Sequence, residues 1–95
     1  MNKQLTEAQL QQAIKISNSL PRDDKEESGV RVGDIFILKN KRSLIHRDRS
    51  DFYIICNSIT RYATFQCVPD DFELDLNGDN ITCLISRGDM VKVER

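Results

Sequence analysis

Hydrophobic and polar positions alternate with a helical period at the start of the chain. The apolar stripe recurs at spacings of three and four and consists of Leu10, Ala13, Ile14 and Ser17. Such spacing places these side chains on one face of an amphipathic helix. Thr6 and Gln9 fit a capping box, so the helix is predicted to begin at Glu7. Pro21 ends it, because the residue before a proline is pushed out of the helical backbone conformation.

The pattern changes after the helix. Residues 21–29 hold six charges and no large apolar side chain, which predicts a charged linker. Short runs rich in β-branched and aromatic residues then follow at 30–38, 52–59, 62–68, 72–76, 81–85 and 90–93. The predicted fold is mainly β with an N-terminal helix over 1–20. Residues 30–95 are expected to form a small, partly open barrel of about five or six antiparallel strands.

The dipeptide Asn77-Gly78 predicts a β-hairpin, because both residues tolerate the positive φ of a type I′ turn. A two-residue loop there pairs the strands so that apolar and polar positions separate. The buried face would hold Phe72, Leu74, Ile81 and Cys83. The outer, acidic face would hold Glu73, Asp75, Asn80 and Thr82.

Two segments of similar sequence, 31–37 and 87–93, each open a strand with a Gly-Asp corner. First and last strands of similar form suit a small barrel in which the two ends of the sheet meet. The tripeptide Arg87-Gly88-Asp89 is known from adhesion proteins. Because the chain begins with no secretion signal, we expect a turn before the last strand there instead.

Composition and charge exclude several classes of protein. The 95 residues make one domain. Fourteen Lys and Arg against 15 Asp and Glu exclude both a globally basic nucleic-acid coat and a strongly acidic DNA mimic. The apolar runs are far shorter than the roughly 20 residues that cross a bilayer. The N-terminus has no apolar signal region, so a cytoplasmic location is expected.

Three cysteines, Cys56, Cys67 and Cys83, all fall in predicted strands and form no C-x-x-C pair. They are expected to be reduced core residues, without a metal or cofactor. The sequence also has no nucleophile elbow, phosphate-cradling glycine loop or His-Glu-x-x-His pattern, which favours a non-enzymatic protein.

One local concentration of positive charge lies between the first two long predicted strands. Residues 39–49, called here the basic segment, contain five Lys or Arg and one acid, Asp48. A loop of this composition can hold nucleic-acid phosphates, with nearby aromatic rings as stacking faces for bases. The predicted nucleic-acid-binding residues are Lys39, Lys41, Arg42, His46, Arg47, Arg49, Tyr53 and Tyr62. A solvated loop that only keeps the protein soluble is the alternative.

The order of elements resembles that of the small SH3-like barrels. Residues 31–70 also resemble the MazF/PemK-type endoribonuclease toxins, in a Gly-Asp-Ile strand at 32–38, a strand of similar type at 52–57 and a Val-Pro end at 67–69. The resemblance implies the barrel fold. The family's catalytic arginine and hydroxyl residue fall near Asp51 and near Asp70 and Asp71, so no catalytic residue is carried over. KOW-type and Tudor-like modules of the same class bind nucleic acid or protein through loops at one end.

Three functions are compatible with these patterns. The first is a binding module that contacts nucleic-acid phosphates through the basic segment. The second is a protein-binding regulator or inhibitor of a larger bacterial or phage machine. Such a regulator would dock through the acidic hairpin face or through the helix stripe, whose predicted partner-binding residues are Leu10, Ala13 and Ile14. The third is a toxin-type ribonuclease with His46 as general base, which Asp51 and Asp71 disfavour.

Overall fold

The computed structural model describes residues 6–21, 24–39, 51–68 and 73–94. Within these ranges the elements are α1 (Glu7–Ser19), β1 (Glu26–Glu27), β2 (Val30–Arg31), β3 (Ile35–Lys39), β4 (Asp51–Ile59), β5 (Ala63–Val68), β6 (Glu73–Leu76), α2 (Gly78–Ser86) and β7 (Met90–Lys92). The fold is mainly β with an N-terminal helix, as predicted.

The strands of the described ranges form two antiparallel sheets. β1 and β2 make a short hairpin around Ser28 and Gly29, both with positive φ, and β1 and this turn lie in the segment predicted as a linker. The other five strands form one sheet in the order β6-β5-β4-β3-β7. This sheet is not closed into a barrel, and in the described part of the chain β6 and β7 are its edges. The two similar Gly-Asp segments lie side by side, because β3 pairs with β7.

The sheet has an apolar core on each face. β4 supplies both cores, because its run Phe52 to Cys56 is buried on both sides, as expected of a central strand. The α2 face of the sheet packs against Ile81 and Leu84 of α2, and its strand residues include Phe36, Leu38, Phe52, Ile54, Cys56, Phe65 and Cys67. The α1 face packs against Ala13 of α1, and its strand residues include Ile35, Tyr53, Ile55 and Val68.

The predicted start of α1 is confirmed. The Thr6 hydroxyl accepts a hydrogen bond from the Gln9 N–H at 3.2 Å, and the Gln9 side chain accepts one from the Thr6 N–H at 3.1 Å. The helix ends at Ser19, two residues before Pro21. Within the stripe, the Ser17 hydroxyl donates to the carbonyl of Gly33 at 2.6 Å, which fixes α1 to the chain just before β3.

The predicted hairpin at Asn77-Gly78 is wrong. Asn77 is the N-cap of α2: its side chain accepts from the Asn80 N–H at 2.8 Å, and the Asn80 side chain accepts from the Asn77 N–H at 3.2 Å. Residues 81–85, predicted as a strand, are helical, and β6 pairs with β5 instead. Because helical spacing turns Ile81 and Leu84 toward the sheet, Cys83 is exposed and not in the core. Phe72 lies outside the described residues.

Candidate functional site

The two described residues on either side of 40–50 lie at one end of the five-stranded sheet. Lys39, the last residue of β3, is the cross-strand partner of Asp51, the first residue of β4. The Lys39 N–H also donates to the carbonyl of Asp89, just before β7, at 2.7 Å. We call this the Lys39 end of the sheet. The chain therefore leaves and re-enters the sheet at the same end.

The structure places one residue of the predicted cationic set. Lys39 is half-buried at the end of β3. The remaining predicted residues of the basic segment lie outside the described residues: Lys41, Arg42, His46, Arg47 and Arg49.

Of the two predicted stacking residues, Tyr53 lies near the Lys39 end, two residues from Asp51, and Tyr62 lies beyond the other end of β4. Tyr53 is 8% exposed and packs in the core under α1. Its pKa is raised, mainly by burial and further by the negative charge of Glu7. Tyr62 is 48% exposed, but it lies in the connection that follows β4, roughly 27 Å along that strand from Asp51. Tyr53 is therefore covered by α1, and Tyr62 is distant from the Lys39 end.

Arg87 is a cation at the Lys39 end that sequence reasoning did not select. It caps the C-terminus of α2, and its Nε lies 3.2 Å from Oδ2 of Asp89. Its side chain is 43% exposed, whereas that of Asp89 is 13% exposed. The tripeptide Arg87-Gly88-Asp89 forms the predicted turn, with Gly88 at a φ of 77°. The signal in the sequence was this turn, but only the pairing of β7 with β3 brings Arg87 close to Lys39.

An open cleft of about 320 Å³ lies between α2 and strands β3 and β6. Four leucine side chains form most of its described lining: Leu38, Leu74, Leu76 and Leu84. Asn80 and Cys83 of α2 and its C-cap residue Arg87 complete it. Leu38 directly precedes Lys39, so the cleft borders the Lys39 end. Its volume is at the lower end of the range of about 300–1,000 Å³ that is usual for small-ligand sites.

The cysteines divide into two buried thiols and one exposed thiol. Cys56 and Cys67 are buried in the sheet, as predicted, whereas Cys83 is exposed and lines the cleft. Burial, and then the negative charge of Asp34, raise the pKa of Cys56 to about 12. In the described ranges no group of three or more His, Cys, Asp or Glu residues is placed to hold a metal ion.

Of the two surfaces predicted to bind a protein partner, the α1 stripe packs within the fold, and the acidic residues of β6 are exposed. The α1 stripe packs on the sheet of the same chain: Ala13 is fully buried, and Leu10 and Ile14 are partly buried against the same core. Glu73 and Asp75 are exposed on β6, where they accept hydrogen bonds from Asn57 at 3.1 Å and Thr64 at 2.8 Å. Asn80 and Thr82, predicted on the same acidic face, belong to α2.

Comparison with protein families, with curated proteins and with solved structures finds no significant match. The resemblance to SH3-like, MazF/PemK-type and KOW-type proteins therefore stays a prediction. Neither helix in the described part of the chain is long and apolar enough to cross a membrane.

Proposed function

We propose that the protein is a non-enzymatic nucleic-acid-binding module that contacts phosphates through the basic segment at the Lys39 end of the sheet. The observation that carries the proposal is the pairing of Lys39 with Asp51, which brings together the two described residues on either side of 40–50. Arg87 adds a further cation at this end, since its ion-pair partner Asp89 accepts a hydrogen bond from the backbone of Lys39.

The distribution of charge supports the same interface. Five of the 14 Lys and Arg residues, but one of the 15 Asp and Glu residues, fall within 39–49. The basic segment therefore has an excess of four positive charges, and the rest of the chain has an excess of five negative charges. A polyanion is attracted to the first and repelled by the second, so charge alone orients the encounter.

The test is an anisotropy titration of the full-length protein with labelled oligonucleotides between roughly 50 mM and 200 mM salt. Affinity should fall steeply with salt, because each phosphate contact releases condensed counterions. Replacing Arg42 and Arg47 with Ala should weaken binding to all sequences alike and reduce the salt slope by about one unit for each lost contact.

Arg61→Ala is the matched control, because Arg61 is an exposed arginine in the turn at the opposite end of β4. It should leave both the affinity and the salt slope unchanged. If Arg61→Ala lowers the affinity as much as Arg42→Ala or Arg47→Ala alone, binding follows the net charge of the protein and not this interface. Absence of binding at the lowest salt would refute the proposal.

A protein-binding regulator is the second candidate, favoured by the exposed carboxylates Glu73 and Asp75 on the edge strand β6. A partner bound there should survive nuclease treatment during affinity purification. It should be lost with the double variant Glu73→Lys, Asp75→Lys and retained with Asp79→Lys, which reverses an exposed carboxylate on α2. Retention in all variants would exclude this face.

A further inference from the structure

We infer that the nucleic acid bound by this protein is single-stranded and that the cleft between α2 and the sheet receives one unstacked base. The inference rests on the proposed function and names its ligand more closely. It concerns described residues: the aliphatic walls of the cleft, with the Arg87 guanidinium among its lining groups.

The cleft reaches the Lys39 end of the sheet through Arg87. Leu38 forms part of the cleft wall, whereas the side chain of Lys39, the next residue in β3, is on the opposite face of the strand. Arg87 also lines the cleft, and its partner Asp89 is hydrogen-bonded to the backbone of Lys39. A strand whose phosphates lie at the Lys39 end therefore has an apolar cleft within reach of the adjoining base.

The chemistry of the cleft suits a nucleobase. The leucine side chains offer apolar contact to the faces of a flat ring, and the Arg87 guanidinium is itself a plane on which bases stack. The ion pair with Asp89 uses Nε of Arg87, and a guanidinium has five N–H donors in all. Its other donors suit a base edge or a flanking phosphate.

Single-stranded ligands are favoured for two reasons. Bases in a duplex are stacked and paired, and taking one out of the stack costs free energy, whereas an unpaired strand presents its bases at little cost. Of the two aromatic rings predicted as stacking faces, Tyr53 is buried and Tyr62 is beyond the far end of β4. The cleft offers instead an apolar concavity with a guanidinium in its lining.

Cys83 makes the test direct, because it lines the cleft and is exposed while Cys56 and Cys67 are buried. The rate of alkylation of Cys83 by N-ethylmaleimide, followed by intact mass, should fall several-fold with saturating oligoadenylate. The duplex of oligoadenylate with oligouridylate should give little protection. The two buried thiols are internal controls, since their continued lack of reaction shows that the protein stays folded.

Arg87→Leu should weaken binding of the single strand and relieve the protection of Cys83, with Arg61→Leu as the matched control at the opposite end of β4. If both nucleic acids bind through Arg42 and Arg47 and neither protects Cys83, the cleft is not the base site and the proposed function stands. Equal protection by strand and duplex would overturn the preference for single strands. If no oligonucleotide binds, the proposed function itself fails.

Discussion

At the scale of single residues, the thiol of Cys56 has a pKa far above its ordinary value. It is fully buried in β4. Burial raises its pKa from 9.0 to about 12, and the nearby carboxylate of Asp34 adds to the effect. The thiol also donates a weak hydrogen bond to the Ser58 carbonyl, at 3.7 Å, and the thiolate cannot make this bond. The folded protein therefore holds the Cys56 proton over a range of pH in which the unfolded chain releases it.

This difference predicts alkaline destabilisation. Between about pH 9 and pH 12 the unfolded state binds fewer protons than the folded state, so the free energy of unfolding falls as pH rises. Cys56 contributes up to about 1.4 kcal/mol per pH unit in that range. Urea titrations across this range should show a shallower decline for Cys56→Ala than for the wild type. Cys83→Ala, which removes an exposed thiol, should decline like the wild type, and equal slopes for all three proteins would contradict the assignment.

At the scale of elements, α2 depends on its N-cap. The reciprocal bonds between Asn77 and Asn80 satisfy backbone N–H groups that the first helical turn leaves without partners. Asn77→Ala should lower the free energy of unfolding by about 1 kcal/mol and reduce the helical signal in circular dichroism. Ser86→Ala, which changes an exposed residue at the other end of α2, is the control. An unchanged urea midpoint for Asn77→Ala would show that the cap does not stabilise α2.

The residues of this cap explain why α2 was not predicted from the sequence, although α1 was. Asn is suited both to a type I′ turn and to a helix N-cap, so the dipeptide Asn77-Gly78 does not discriminate. The run after it also fits both periods, since Ile81 and Cys83 are spaced by two, whereas Ile81 and Leu84 are spaced by three. The choice is made by the sheet, whose α2 face needs an apolar cover. α1 has no such ambiguity, because its stripe keeps the helical spacing over about two turns and Pro21 marks its end.

The candidate site was also predicted only in part from the sequence. The basic segment is visible in the sequence because charge composition needs no knowledge of the fold. Arg87 was missed because its nearness to Lys39 depends on the pairing of β3 with β7, which joins residues far apart in the chain. Tyr53 was predicted to stack on bases because it is aromatic. Its burial could not be predicted, because it depends on where α1 packs on the sheet.

The position of α1 gives a sharp prediction about its role. Ala13 is fully buried against the sheet, while Gln12 beside it is exposed. Ala13→Asp places an unpaired charge in the core and should cost several kcal/mol, a large part of the roughly 5–15 kcal/mol that stabilises a typical domain. Gln12→Asp should melt like the wild type in thermal unfolding followed by circular dichroism. If both variants melt like the wild type, the helix is a separable arm and not a structural cover.

At the scale of the whole molecule, the two helices are coupled through one strand. Alternate residues of β4 face α1 and α2, so Ile54 belongs to one core and Ile55 to the other, and both are fully buried. If either core is lost, the β4 side chains that pack in it lose their apolar contacts, and β4 is destabilised. We therefore expect both faces to unfold together, although the cores do not share side chains.

The chain contains a reporter for each face. It has two tyrosines and no tryptophan, so Tyr62→Phe leaves Tyr53, on the α1 face, as the single fluorescent ring. Cys83→Ala leaves Cys56 and Cys67, both on the α2 face, as the thiols that react on unfolding. In the double variant, tyrosine emission and thiol reactivity should change at the same urea concentration, as two-state unfolding requires. A tyrosine transition at lower urea would show instead that α1 leaves the sheet while the α2 face stays folded.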